Sequence, residues 1–539
     1  MKIPTMPIVD MLRNHIKNGP VSFHVPGHKG RMPFMKKENG EAQQNNIQTE
    51  TWSLFQSILP LDVTELSDTD DLHDPSGAIA EAQRLAASCF GAEETLFLVG
   101  GSTAGNLALV LGCSQPGDIM LVQRNVHKSV LNGLKLSGAS VVFLDPEYDS
   151  GSGFAELPSL ERVKRALQRW PQAKAVFLSN PSYYGWSREL TPYAELVHAF
   201  NMPLLVDEAH GAHYGQHPQF PSGALQAGAD AVVQSTHKTL SAMTMGAMLH
   251  VQGERLHRER IKQMLATVQS SSPSYPLMAS LDLARGMLDQ YGPQWFEPGL
   301  DAANTVRSWV RREESWFGLA EDIPIHEGIR IDPLRLVLYD RRGACSGMRL
   351  QKELEQRGCV AEMADDRYVV LLVGARCSSE EAHRLLEALG DIGAENKEGS
   401  LSSVEGMAPE TAEDTNRSEW RQATLRQTKW DKTPESEQRS RKQSDSVANL
   451  TMNRELPEPV VLERFPPMPH TLEQIPILQA IGRKSAETII PYPPGIPIVI
   501  EGEEIRQETA ELMIRLLESG ARFQGMKLSE KGLIRVTSV

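Results

Sequence analysis

Three short stretches carry residues whose types and spacing could do chemistry. In Ala231 to Met245, AVVQSTHKTLSAMTM, an apolar run leads into Ser235-Thr236-His237-Lys238. Pro203-Leu204-Leu205-Val206 has the same shape and ends in Asp207-Glu208-Ala209-His210. Thr95 to Val99 is followed at once by Gly100-Gly101-Ser102-Thr103-Ala104-Gly105-Asn106. A lysine at the end of a buried strand, flanked by Ser, Thr and His, is suited to Schiff-base formation, because desolvation and nearby cations favour the free amine. An aspartate at the end of a neighbouring strand can pair with a protonated pyridine nitrogen and keep that ring an electron sink. A strand, a glycine-rich turn and a helix N-terminus make an anion site: the backbone approaches closely, free N–H groups point outward and the helix dipole favours a phosphate. The turn is not a Walker loop, since it lacks the Gly-Lys-Ser/Thr ending, nor is it the GxGxxG dinucleotide fingerprint. Taken singly, the three read as a surface lysine, a helix cap and a turn. Taken together on consecutive α/β units, they specify pyridoxal 5'-phosphate (PLP).

The elements that must position these residues alternate. Apolar runs predict strands over 119–122, 141–144, 175–179, 204–206 and 231–233, with a further strand, 246–251, running away from the lysine. Helical spacing predicts helices over 78–90, 107–111, 160–169 and 193–200. Buried strands separated by helices imply an α/β fold, a mostly parallel sheet covered on both faces. Ligands bind such sheets beyond the carboxyl ends of the strands. Ser102, Thr103, His127, Asn180, Asp207, His210, Ser235, His237 and Lys238 all fall there. From about Tyr291 the chain turns helical and charged, with strands predicted over 334–338 and 368–373 and a helix over 379–389, which reads as a smaller α+β unit. Residues 394–449 are polar and lack apolar periodicity, the composition of a disordered linker. Ile489 to Pro497 is a proline-ruled turn ahead of a strand, 498–500, and a helix, 507–519. The expected division is an N-terminal arm over 1–20, a PLP-binding large domain over 21–290, the first part of a small α+β domain over 291–393, a linker or insertion over 394–455 and a C-terminal domain over 456–539.

The 539 residues are enough for more than one domain, and the net charge of -14 argues against non-specific nucleic-acid binding. No apolar run is long enough to span a bilayer, and MKIPTMPIVDMLRNHI lacks the apolar region of a signal peptide. Five scattered cysteines in no metal-ligand spacing read as reduced thiols. A cytoplasmic protein without a metal site is expected.

Nine segments, SFHVPGHKGR, DLHDPSGAIAEAQ, FLVGGSTAGN, RNVHKS, NPSYYG, VDEAHGAH, QSTHKTLSAMTM, SSPSYPLMASLD and PYPPGIPIVIEGE, run from residue 22 to 503. Together they resemble the Orn/Lys/Arg decarboxylase family, the PLP-dependent basic amino-acid decarboxylases with the aspartate-aminotransferase fold (fold type I), and in particular its shorter bacterial members. The resemblance implies that Lys238 carries the cofactor and Asp207 pairs with its pyridine nitrogen. It implies that His127 stacks on the ring face opposite Ala209, and that Ser102, Thr103 and Ser235 bind the phosphate. His237 would lie beside the phosphate or the lysine linkage, and His210 near the substrate. Lys238 or His237 would return a proton to Cα. The segment from Ser272 to Leu277 would reach a partner subunit, because such enzymes build their sites at the interface of a homodimer or larger homo-oligomer. The implied reaction converts arginine, lysine or ornithine to CO2 and an amine that feeds polyamine synthesis. A distal cation needs a carboxylate, for which the candidates are Asp71 in LDVTELSDTDDLHDPSG and Glu362 and Asp365 in VAEMADD. Two other readings remain: another fold-type-I enzyme such as an aminotransferase, with Arg335 clamping the substrate carboxylate, and a non-catalytic homologue.

Overall fold

The computed structural model describes residues 4–30, 54–402, 456–462, 472–492, 497–518, 522–524 and 532–537. In chain order, Glu94–Leu98 forms β1, Ile119–Gln123 β2, Ser140–Leu144 β3, Val176–Ser179 β4, Trp186–Arg188 β5, Leu204–Asp207 β6, Ala231–Gln234 β7 and Ala247–Val251 β8. Phe317–Leu319, Ile329–Ile331, Arg335–Asp340, Met363–Ala364 and Tyr368–Leu372 are β9 to β13, and Val460–Val461 is β14. The large sheet has the order β1-β8-β7-β6-β4-β2-β3-β14. Strands β3, β2, β4, β6 and β7 are mutually parallel, and β8 is antiparallel to both β7 and β1.

The central strands read as continuous apolar runs because both faces are covered: every residue of β6, β7 and β8 is buried. One face packs on helices Pro7–Asn18, Ala78–Phe90, Leu160–Arg169 and Tyr275–Tyr291, the other on Gly101–Cys113, Lys128–Ser137 and Arg258–Val268. At Gly105 the helix comes so close to the sheet that a Cβ would stand 2.8 Å from Leu98 Cδ1 and 3.0 Å from Val233 Cγ1. That approach brings the helix N-terminus to the end of β7.

A second, antiparallel sheet, β12-β13-β11-β9, is backed by helices Glu297–Val310 and Ser379–Ser402 around its own core. The two-stranded pair β5–β10 ties it to the large sheet. Past residue 456 the chain returns to the large sheet, where β14 pairs with β3. Leu462 and Ile500 enter that sheet's core, and Lys135 and Arg124 form ion pairs with Glu501 and Glu503.

Two expectations need correction. The helix starting at Ser379 does not stop at 389 but runs to Ser402, past the expected linker boundary; the rest of that stretch, 403–455, lies outside the described residues, as do Arg31 and 493–496 of the quoted motifs. The strand expected over 498–500 is only a single bridge, Ile489 to Val499, because the adjoining prolines cannot donate to a ladder. The acidic loop is not uniformly solvated. Asp70 turns inward and accepts backbone N–H groups from Ser76, Gly77, Ile79 and Ala80 at 2.8–3.3 Å, capping helix Ala78–Phe90. Those bonds hold its pKa below the ordinary carboxylate value, against burial, which opposes them. Among the described residues, no helix is long and apolar enough to cross a membrane.

Candidate active site

A cavity of about 650 Å3 opens at the carboxyl ends of the parallel strands. Into it come Ser102, Thr103, His127, Asp207, Ala209, His210, Ser235, His237, Lys238 and Glu362. After β7 the chain makes one helical turn, Thr236–Thr239. The Lys238 N–H bonds back to Ser235 O at 3.1 Å, and its Nζ stands 3.0 Å from Nε2 of His210. Burial lowers the pKa of Lys238, with Asp207 pulling the other way. Burial, helped by the charge of Lys238, takes His210 well below the usual imidazole value. His237 lies 2.9 Å from Gly246 O through Nδ1. A carbonyl only accepts, so Nδ1 carries the proton and Nε2 presents a lone pair.

Asp207 is the last residue of β6. Its Oδ2 accepts from Asn106 Nδ2 at 2.8 Å and its Oδ1 from the Ala209 N–H at 3.1 Å. His127 caps helix Lys128–Ser137, its Nδ1 accepting from the Ser129 N–H at 3.2 Å. Helix Gly101–Cys113 has no side-chain cap at its N-terminus, so its first N–H groups stay free for an anion. Gly101 has φ +70° there, a conformation glycine adopts without strain. The hydroxyls of Ser102 and Ser235 meet beside it in a short hydrogen bond.

The cavity's other wall belongs to Tyr183, Tyr184, Trp186, Arg188, Glu156 and Glu362. Tyr183 O–H donates to Glu362 Oε1 at 2.6 Å, and its ring meets that of His210 edge-on at 4.5 Å. Arg335 does not line the cavity. It is buried behind Tyr183, with Nη1 donating to the Tyr183 carbonyl at 2.6 Å.

Of the three carboxylates expected to meet a cationic substrate, only Glu362 lines this cavity. Asp365 lies outside it: its Oδ1 caps the Arg367 and Tyr368 N–H groups at 2.8 and 2.7 Å, and its Oδ2 accepts from Tyr184 O–H at 2.6 Å. Asp71 is exposed in the loop before helix Ala78–Phe90, where it accepts from the His73 N–H at 2.8 Å. Sequence reasoning missed Asn106, Tyr183, Glu156 and Arg188. The two in quoted motifs carried weak signals: Asn106 is a polar residue inside a helix just ahead of its apolar run, and Tyr183 follows the end of β4; Glu156 and Arg188 sit in stretches with no such signal.

The residues present fit PLP. An uncapped helix N-terminus with two serine hydroxyls suits the phosphate, a buried carboxylate fixed on both oxygens suits a pyridinium, and a desolvated amine suits covalent attachment.

Comparisons with known proteins agree. The chain is 38% identical to an uncharacterized protein of Bacillus subtilis, YaaO, over 98% of each chain. It is 32% identical to an arginine decarboxylase of the same organism, covering 98% of this chain and 97% of that one. The solved structure of the Escherichia coli constitutive lysine decarboxylase superposes with a TM-score of 0.72 at 21% identity, over 99% of this chain and 82% of that one, and shares its fold. The family model for the C-terminal domain of Orn/Lys/Arg decarboxylases matches residues 465–536, and the model for their major domain matches residues 6–324, which span the whole cavity floor; the chain belongs to the Orn/Lys/Arg decarboxylase family.

Proposed function

We propose that this protein removes CO2 from a basic amino acid with bound PLP, and that arginine is the substrate to test first. The observation that carries the reading is the meeting of Lys238, Asp207 and the uncapped helix N-terminus in one cavity. Arginine is favoured because the arginine decarboxylases of three Bacillus species match at 29–32% identity, against 23–25% for the lysine decarboxylases.

In this reading Lys238 Nζ is the attachment point. Ser102, Thr103 and Ser235 hold the phosphate at the helix N-terminus. His127 and Ala209 cover the two faces of the ring, and Asp207 keeps a proton on its nitrogen. The chemistry the bound cofactor supplies is a sink for the electron pair left as the Cα–carboxylate bond breaks. Glu362 accepts the distal guanidinium or ammonium of the substrate, with Tyr183 holding its other side. That contact, with the wall around it, orients the substrate across the cavity. Lys238 Nζ returns a proton to Cα, or His237 does so after its Nε2 lone pair has first taken one up. His210 keeps Lys238 Nζ in place. The enzyme works in the cytoplasm as a homodimer or larger homo-oligomer with shared sites, the segment from Ser272 to Leu277 reaching the partner, and its amine product enters polyamine synthesis.

A transaminase needs a guanidinium for the substrate carboxylate. Among the described residues the arginine lining the cavity is Arg188, whose Nε donates to Glu156 Oε2 at 2.6 Å, and Arg335 is buried behind Tyr183, bonded to its carbonyl. Product analysis with lysine, arginine and ornithine in competition tests the proposal. CO2 with agmatine, cadaverine or putrescine supports it. Keto acid without CO2 would falsify it, as would a visible cofactor absorbance that persists in Lys238→Ala.

A further inference from the structure

At the wall of the cavity, one line of side chains joins Asp207 to His127 through two buried residues, Asn106, which lines the cavity, and Ser129, which does not. Asn106, wholly buried in helix Gly101–Cys113, has two hydrogens on Nδ2, and both are used: one goes to Asp207 Oδ2 at 2.8 Å, the other to Ser129 Oγ at 2.9 Å. A carboxylate offers only lone pairs here, so the amide nitrogen must face it. The cost of this orientation is visible in the structure. Asn106 Oδ1 is buried and has no hydrogen-bond partner among the described residues.

Ser129 Oγ, having accepted from Asn106, gives its own proton to His127 Nδ1, 2.8 Å away. The Ser129 N–H donates to the same nitrogen. Two donors aimed at Nδ1 leave it only a lone pair to offer, so the ring proton sits on Nε2, the tautomer opposite to that of His237. The line spans three elements, and it closes because helices Gly101–Cys113 and Lys128–Ser137 lie very near each other. A Cβ on Gly133 would stand 2.8 Å from Val110 Cβ.

We propose that Asn106 and Ser129 are positioning residues that lock Asp207 and the tautomer of His127 together as one unit. The proposal rests on the reading that Asp207 and His127 flank the cofactor ring. It adds that this pair is set before the cofactor arrives, and that a change at Asn106 is felt at His127 without touching it. The charged and titratable groups facing His127 are Asp207, which favours its protonated form, and Lys238 and Lys128, which disfavour it; His210 lies beyond Lys238. Burial is the largest influence and holds the ring neutral. Removing the Ser129 hydroxyl takes a donor from Nδ1, and removing Asn106 strips a donor from Asp207. Both changes make protonation of His127 easier.

The test is 15N-histidine NMR of the full chain, with and without PLP, with His127 assigned by its loss in His127→Gln. The wild type is expected to show a pyridine-like Nδ1 and a pyrrole-like Nε2 in both forms. Asn106→Ala and Ser129→Ala are each expected to raise the His127 titration midpoint by roughly half a pH unit or more, and Ser129→Thr to restore it. PLP binding should weaken about tenfold in either alanine variant, and the double variant should add less than about twofold to the larger single effect, because a shared line is broken once. An Nδ1–H tautomer in the wild type overturns the proposal, as does an unmoved midpoint in a folded Asn106→Ala. If Asn106→Ala does not fold, Ser129→Ala against Ser129→Thr decides by the same readout. A wild type that fails to bind PLP sinks the functional reading instead, while the tautomer of the PLP-free chain still decides the relay.

Discussion

Nζ of Lys238 and Nε2 of His210 stand 3.0 Å apart in a site where burial lowers the pKa of both groups. A buried imidazole kept neutral does not repel the amine as an imidazolium would, and it excludes the water that would stabilise an ammonium. Since attachment of an aldehyde needs the free amine, the pair lets Lys238 react at a lower pH than a solvated lysine. In His210→Gly, water enters, the amine pKa rises, and the pH at which the PLP-free chain takes up PLP at half its maximal rate should move upward by about one unit. Stopped-flow absorbance across pH 6–9 checks this. An unchanged profile would mean that His210 does not tune the lysine.

Glu362 is the carboxylate candidate that lines the cavity, and one of its oxygens already accepts from Tyr183. Charge-assisted pairing of its other oxygen with a distal cation is a binding interaction made equally in ground and transition states. Glu362→Gln should therefore raise KM for the basic amino acid about tenfold, ~1.4 kcal/mol, with a much smaller change in kcat. Tyr183→Phe should do the same more weakly. Steady-state kinetics separates the two constants. A fall confined to kcat would assign Glu362 to the chemical step instead.

Gly105 has no room for a side chain. A Cβ there meets Leu98 Cδ1 at 2.8 Å and both methyls of Val233 at 3.0 and 3.1 Å. Val233 is two residues before Ser235, so the strain of Gly105→Ala would be relieved by pushing the helix N-terminus away from the very serine it faces. Overpacking of this kind costs roughly 1–3 kcal/mol. The expected result is a lower unfolding midpoint in urea together with weaker PLP binding. Loss of stability with unaltered PLP affinity would show that the cradle tolerates the shift.

How much of this was legible in the sequence depends on what burial does to a pattern. Strands β4, β6 and β7 are covered on both faces, so their apolar runs and the polar residues that end them, Asp207 and Ser235 among them, stand out in one dimension. The acidic loop shows the opposite. Asp70 and Asp71 are neighbours of one type, yet Asp70 caps a helix and Asp71 faces solvent. No local signal tells them apart, because Asp70 lies eight residues before Ala78, far from the usual capping position. Asn106 looked like part of a turn, and its role exists only because Gly133 lets a second helix bring Ser129 to it. Glu362 and Asp365 were indistinguishable in VAEMADD until β12 came between them, with Glu362 before the strand facing the cavity and Asp365 in the turn after it bonded to its own backbone.

Behind Asp207, Glu208 is wholly buried: its Oε1 accepts from the Ala224 N–H at 2.8 Å and its Oε2 from Gln234 Nε2 at 2.7 Å. Gln234 Oε1 faces His250 Nε2 at 3.1 Å, and His250 Nδ1 faces Thr95 Oγ1 at 2.8 Å. Burial pushes Glu208 from 4.5 up to about 8 and His250 from 6.5 down to about 3. The raised group contributes stability that is full below pH 4.5 and is lost as pH rises through 8. The depressed group contributes stability that is full above pH 6.5 and is lost as pH falls toward 3. Between pH 4.5 and 6.5 the two slopes, each about 1.4 kcal/mol per pH unit at most, oppose and cancel. Above that window Glu208 acts alone, and below it His250 acts alone. In Glu208→Gln the decline of unfolding free energy from pH 6.5 to 8 should flatten, and in His250→Asn the decline below pH 4.5 should flatten, whatever each variant costs in absolute stability. Urea unfolding at closely spaced pH values measures both slopes. Curves that run parallel to the wild type would mean that neither group changes its proton on unfolding.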